Sequence, residues 1–441
     1  MNGSLASAVD GNLLTGIAGV LAVLLVVALR RYPTAGFCLW AVTLCFVPIW
    51  VGAGSSVFFP GLVLLSALAV VAWAGKPTGN LSVVDVVVLV IAILYWVAFL
   101  LGMERISDGF TLFAYWILAY TMGRLAPARV SVPMLYKIIA IVFAAVAVLA
   151  VVEFFIGENF FVKLFSSSNT QFRAWSAVQH RGGLLRAEGA FGHSIALGAC
   201  LALALPMAMA AKLPIWMRMV VVAAILGAVT VTFSRTGIIV ACLSLVLTLV
   251  CLPAGLTFRN RVAFLALLVG AAVVAFPVLT ETFLKAGEEA SGSAEYRADL
   301  FDLVPHMRFM GVADVFQVLP DGAAYFGQFR SIDSALILFG LSYGLIPLVA
   351  IGGLLVAAAA LTLRRKATPP TIALIAQLPS LATVALITQY SFFLWFICGL
   401  AVSTQMIHQQ QQKSSIPELR TPALGPIDLN RPKQGVSSVK L

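Results

Sequence analysis

VAFLALLVGAAVVAFPVLT, residues 262–280, is a run of nineteen residues without one charge. A helix of that length rises about 30 Å, the thickness of a bilayer's hydrocarbon core. Arg259 and Arg261 stand just before it, and Glu281 follows it. The run reads as a membrane span, and its basic flank is the end expected to face the cytoplasm.

Comparable runs recur at 12–29, 35–51, 57–74, 83–102, 110–122, 134–156, 190–211, 219–233, 236–256, 333–361, 371–387 and 390–406. The chain is 61% hydrophobic and only 10% charged, with a mean hydropathy of +1.01. Soluble domains carry roughly 25% charged residues, so that class is excluded. A transmembrane barrel would show short alternating segments instead. The expected fold is an all-α polytopic membrane protein with about thirteen transmembrane helices, or twelve if 371–387 and 390–406 form one broken helix. Pro379 and the TQYS turn argue for the split.

The net charge of +10 resembles a nucleic-acid signal, but its distribution speaks for topology. Arg30-Arg31, Lys76, Arg124/Arg129/Lys137, Lys212/Arg218, Arg259/Arg261 and Arg364-Arg365-Lys366 mark every second connection. Placing these inside gives a consistent alternation, with the N-terminus outside and the C-terminal tail inside. No nucleic-acid partner is expected. Residues 1–406 then form a single helical domain. Residues 407–441, polar and Pro-rich without periodicity, read as a disordered cytoplasmic tail. The six cysteines all lie in apolar segments and read as small core residues.

Two long extracytoplasmic loops follow from this topology, at 157–186 and 281–332, and loops of that length usually carry function. The first holds Phe160, Phe161, Phe165, Phe172 and Trp175 among Lys163, Arg173 and Arg181. Aromatics with cations suit an interfacial helix, or stacking on sugar rings. In the second, Tyr296, Leu300, Leu303 and Val304 have apolar helical spacing, which predicts a helix over 294–310.

Three arginines sit at ends of apolar segments on the face that should be poor in arginine: Arg186, Arg235 and Arg297. A lone arginine at a helix end can snorkel to the interface. Here glycines stand near Arg186 (Gly189, Gly192), and the hydroxyls of Ser234 and Thr236 flank Arg235. Ser293 and Tyr296 precede Arg297. Three forked guanidiniums at one mouth would bind a diphosphate.

RAEGAFGHSIALG, TFSRTGIIV, SGSAEYRADL and FMGVADVF…SIDSALILFGLSYGLIPL occur in this order between 185 and 350. Together they resemble the O-antigen ligase/polymerase superfamily of bacterial membrane glycosyltransferases. That resemblance implies an undecaprenyl-diphosphate-linked glycan as donor, gripped by Arg186, Arg235 and Arg297 outside the plasma membrane. It implies metal-independent, inverting transfer to a glycan or lipid acceptor. Ligases of that family carry a histidine where this chain has Asp333, so the resemblance leans toward polysaccharide polymerases. Other polysaccharide assembly and export proteins are the partners it implies, beside membrane lipids.

The attacking hydroxyl needs a base or an orienting acceptor. Asp333 is the first candidate and Glu188 the second. Asp333 also reads as the N-cap of the following span or a partner of Arg330, and Glu188 as a partner of Arg186 or Arg181. His193, Tyr296 and Ser234 are further candidates, with His193 read first as a satisfied core histidine. No metal-ligand spacing, P-loop or dinucleotide fingerprint is present, so no cofactor is expected. A ligase of the same superfamily, or a lipid-linked oligosaccharide transporter, stays open as an alternative.

Overall fold

The computed structural model describes residues 2–54, 57–75, 80–252, 257–285, 295–296, 298–320 and 324–414, with side chains from residue 16 onward. The described residues are overwhelmingly helical, as expected for the all-α membrane class. The helices in order are α1 (Asn2–Arg31), α2 (Pro33–Phe46), α3 (Gly61–Trp73), α4 (Val83–Leu100), α5 (Ile106–Phe110), α6 (Leu118–Arg129) and α7 (Val132–Ile156). Then come α8 (Phe160–Leu164), α9 (Thr170–Trp175), α10 (Ser194–Ala210), α11 (Ile215–Val231), α12 (Arg235–Cys251) and α13 (Phe258–Lys285). The last five are α14 (Ala335–Tyr343), α15 (Leu345–Leu363), α16 (Pro369–Ala376), α17 (Leu378–Thr383) and α18 (Thr388–Ser414). A π-helical turn over Thr111–Ile117 joins α5 to α6. Three two-stranded hairpins and two 3-10 segments, Gly189–Phe191 and Leu300–His306, are further elements among the described residues.

Local chemistry sets the helix ends. Pro33 opens α2 at a position whose amide has no intrahelical partner. Ser82 and Asp85 form a reciprocal capping box on α4. Gly157 closes α7 in the left-handed conformation at φ 76°.

Five helices, α4, α7, α13, α15 and α18, are long and apolar enough to cross a membrane. The pair α1–α2, bent by 118°, makes a sixth if it forms one span. Helices α3, α10, α11 and α12 are apolar but shorter. Against the expected twelve or thirteen spans, five helices among the described residues, or six with the bent pair, have the required length and apolarity. In the structure, 371–387 divides into α16 and α17, and 110–122 begins with the π turn. Apolar helix α13 also runs to Lys285, past the expected end of its span.

Burial sorts these helices into inner and outer sets. Helix α10 is buried along nearly its whole length, including Ser194, Gly198, Cys200 and Pro206, and packs against α7, α11, α12, α16 and α18. In α13, α15 and α4 only 6%, 11% and 17% of the most apolar window is buried, against 67% in α18. Val273, Val274 and Phe276 of α13 are exposed apolar side chains. A helix apolar all round with an unburied surface fits lipid contact.

The connections segregate to two ends. At one end Arg129 donates to the carbonyl of Trp73 at 2.6 Å, and Arg124 pairs with Asp85 at 2.8 Å while donating to Ser403. Arg218 donates to Met209 there, and Gln405 to the carbonyl of Lys366. Trp50, the 157–193 segment, the ends of α7 and α11 and the start of α12 meet at the opposite end. Among the described residues these basic contacts thus lie at one end of the bundle and the 157–193 segment at the other.

The expected helix over 294–310 is present in its first part: the described residues 295–296 and 298–299 are α-helical, and the chain continues as a 3-10 segment over Leu300–His306, which contains Pro305. Leu300 and Leu303 are buried and Tyr296 packs beside them, but Val304 is 38% exposed. The tighter 3-10 winding moves Val304 off the face that α-helical spacing assigned it.

Helices α6 and α18 cross at glycines. A Cβ on Gly123 would strike the Phe396 carbonyl, and one on Gly399 would strike the Tyr120 carbonyl. Small residues at such a crossing let backbones meet closely. Gly399→Val is expected to lower stability by about 3 kcal/mol or more, read as a drop in thermal midpoint of the detergent-solubilised protein. Gly270→Val, with nothing within 4 Å of its Cβ, is the control and stays near wild type.

Candidate functional site

The site is built on the C-terminal end of α11. The last carbonyls of any helix lack intrahelical partners and carry partial negative charge. Here the carbonyl of Val231 accepts the amide of Ala187 at 3.0 Å. The carbonyl of Thr232 accepts Nε of Arg186 at 3.0 Å, and that of Phe233 accepts Nη1 of Arg181 at 2.7 Å. One segment, 181–187, therefore caps three successive carbonyls, using two guanidiniums.

That segment is held by its own turn. His180–Arg181 pairs antiparallel with Leu184–Leu185, and the two residues between them, Gly182 and Gly183, have φ of 55° and 82°. Two successive positive φ values are what a tight two-residue hairpin needs, and glycine supplies them without strain. The hairpin lies on the end of α13, where a Cβ on Gly182 would meet the Thr282 carbonyl at 3.0 Å.

Beyond Phe233, itself left-handed at φ 46°, the chain turns into α12. Ser234 is the N-cap: its hydroxyl accepts the Gly237 amide at 3.0 Å. Arg235 is the first residue of α12, half-buried, with its guanidinium 4.8 Å from the ring centroid of Phe283 on α13. Arg181 faces the same ring at 5.9 Å. Arg186 is only 6% exposed, and its Nη1 donates to Gln179 at 3.2 Å.

Arg186 and Arg235 are thus both at the Thr232–Arg235 turn. Arg297 lies outside the described residues. Arg181 joins the other two at the turn, although sequence reasoning placed it among the cations of an interfacial loop. Its signal was the Gly-Gly pair that follows it, which marks a hairpin rather than an interfacial helix.

Two buried carboxyls fix the next segment. Glu153, near the end of α7, is 1% exposed and accepts the amides of Glu188 and Gly189 at 3.1 and 2.8 Å. Sequence reasoning passed over it. An acid inside an apolar run was the available sign, because such a group needs a partner. Glu188, also 1% exposed, accepts the Gln179 amide through Oε1 at 3.0 Å. Its Oε2 is buried with no hydrogen-bond partner among the described residues. Burial pushes the Glu188 carboxyl up to about 8. The Gln179 amide opposes that rise, the Glu153 carboxylate adds to it, and Arg186 opposes it. At neutral pH Glu188 is therefore mostly the neutral acid.

The remaining candidates have modest partners. His193 is the N-cap of α10, its Nδ1 accepting the Ile195 amide at 3.1 Å. Asp333 is half-buried and accepts the Ser331 hydroxyl at 3.1 Å. It is not the helix cap: Ser334 caps α14, accepting the Ile337 amide. The Tyr296 hydroxyl donates to the Ser331 carbonyl, and Asp333 lies close enough to influence it electrostatically.

The aromatics of 160–175 serve partly as packing. Phe161 is buried, Phe172 meets Trp50 edge-on at 5.7 Å, and the Trp50 indole donates to the Phe165 carbonyl. The described helices α8 and α9 thus cover the end of α2. Among the described residues no group of three or more His, Cys, Asp or Glu could hold a metal ion. Comparison with protein-family models and with curated proteins gives no match.

A carboxyl held neutral by the fold opposes stability once pH rises above its unfolded value. Glu188 binds a proton in the folded state up to about pH 8, while in the unfolded chain it releases it near 4.5. Its contribution is harmless below pH 4.5 and grows more unfavourable until about pH 8. Glu188→Gln is expected to gain stability relative to wild type as pH rises through that window, with the two coinciding at its acid end. Thermal midpoints in detergent at several pH values measure the difference.

Proposed function

We propose that the chain is a membrane glycosyltransferase that polymerises or transfers a polyprenyl-diphosphate-linked glycan at the outer face of a bacterial plasma membrane. The observation that carries this reading is the gathering of Arg181, Arg186 and Arg235 around one turn, at the end of the bundle opposite the basic connections. Cations there run against positive-inside bias, so their location calls for a reason other than topology. A diphosphate supplies one: it is anionic, it takes the paired hydrogen bonds of an arginine fork, and it travels on a lipid.

In the reaction, the acceptor hydroxyl oxygen bonds to the anomeric carbon of the donor sugar from the face opposite the leaving group. The carbon–oxygen bond to the diphosphate breaks, and the lipid diphosphate departs with the electron pair. Fixed guanidiniums stabilise that charge without any proton transfer to the leaving group. The hydroxyl proton passes to a carboxylate. A neutral Glu188 is a poor acceptor, which leaves the half-exposed Asp333 as the candidate. Arg297 remains part of the proposal on the sequence resemblance alone.

Transfer to a lipid core in place of a growing glycan is the nearest variant of this reading. A transporter of lipid-linked oligosaccharide is a second reading. It is favoured by the interruption between α16 and α18, where Gln377 and Gln389 are buried, since broken helices build transporter sites. Flux of labelled substrate into reconstituted vesicles without change in chain length would support the transporter.

Arg235→Ala is expected to lower glycan product by about a hundredfold or more while leaving membrane insertion intact, with Arg235→Lys between the two. Purified protein with a lipid-diphosphate oligosaccharide, read as a ladder of chain lengths, is the assay. Wild-type ladders from Arg235→Ala would overturn the reading.

A further inference from the structure

Phe283 lies against two of the three cations, Arg181 and Arg235, yet it belongs to α13, the least buried of the five helices long and apolar enough to cross a membrane. Helix α13 presents Val273, Val274 and Phe276 outward, and only 6% of its apolar window is buried. At its end the environment changes. Thr282 is buried against the Gly182 hairpin, and the half-buried Phe283 ring lies under the guanidiniums of Arg235 at 4.8 Å and Arg181 at 5.9 Å.

A guanidinium is planar, and all its N–H donors point outward in that plane. Attraction to the face of an aromatic ring uses the flat side and leaves the edge donors in place. Arg181 shows this combination: one Nη1 hydrogen reaches the Phe233 carbonyl while the group lies over the ring. Without such a support a long arginine side chain retains several rotatable bonds, and ordering it opposes ligand binding. One ring shared by two arginines fixes both relative to each other. That matters for a ligand with two adjacent phosphates.

We propose that Phe283 is a positioning residue: its ring face holds Arg181 and Arg235 with their N–H edges toward a shared diphosphate. This rests on the diphosphate reading of the site and deepens it. It also makes the anion site depend on where the end of α13 sits, although no anion contact comes from α13 itself. The required property is the π face, not bulk. Leucine at 283 would retain apolar contact with the hairpin but offer the cations nothing.

Inorganic pyrophosphate binding to the full chain in detergent, read by titration calorimetry, separates the possibilities. Wild type, Phe283→Leu, Phe283→Trp and Arg235→Ala are compared, each first checked for an unchanged thermal midpoint. Phe283→Leu is expected to bind about tenfold more weakly, in line with the loss of two cation–π contacts. Phe283→Trp, with a stronger π face, should restore wild-type affinity. Equal affinity in Phe283→Leu and wild type, with binding still lost in Arg235→Ala, would overturn the role of Phe283 and leave the diphosphate site standing. Tighter binding in Phe283→Leu would also overturn it, because the ring would then be an obstruction. If wild type binds no pyrophosphate in an Arg235-dependent manner, the diphosphate reading fails and this inference fails with it.

Discussion

Helix α11 ends inside the protein, and its last carbonyls need donors. In a medium without water each unsatisfied group is expensive, so the chain must supply them. Residues 181–187 do so, with the Ala187 amide, Arg186 Nε and Arg181 Nη1 on three consecutive oxygens. Much of the outer end follows from that requirement. The Gly-Gly hairpin brings the donors to the helix end, and Glu153 ties down the Glu188 and Gly189 amides just beyond. Ser234 then restarts the chain as α12. Two of the cations proposed to meet a substrate also hold the helix end, so they are rigid before any ligand arrives. Rigidity of this kind is what electrostatic stabilisation of a leaving group needs.

The inner and outer helices solve different problems. Helix α10 is lined by Ala, Gly and Leu and is surrounded by protein, so close packing with small side chains holds it. The Gly123–Gly399 crossing of α6 and α18 works in the same way. Helices α4, α13 and α15 keep large aliphatic side chains outward and gain little from the bundle. The Arg124–Asp85 pair, joined by Tyr120 and Ser403, connects the outer α4 to this inner core at the basic end.

Much of this was readable in the chain. The uncharged run 262–280 lies within α13, and Pro379 stands at the start of α17, in the interruption between α16 and α18; TQYS, read as a turn, instead opens α18. What escaped depended on tertiary contacts. Glu153 resembles a stray acid in an apolar run until the Glu188 and Gly189 amides are seen to face it. Arg181 was hidden among aromatics that suggested a membrane anchor, and Phe283 among the apolar residues ending a long helix. Asp333 and Ser334 are adjacent and both able to cap; which one does so depends on backbone angles that one sequence does not disclose.

The 17-residue length of α11 and α12, which expose Trp216, Val220, Ile239 and Val250, bears on the surrounding lipid. At 1.5 Å per residue each rises about 25 Å, several ångströms short of the hydrocarbon thickness that the 28-residue α13 exceeds. Hydrophobic mismatch of that sign would draw the leaflet inward around the short helices and tilt the long neighbour. Head groups would then dip toward the guanidiniums, and the proposed lipid-linked donor would meet them without leaving its own leaflet.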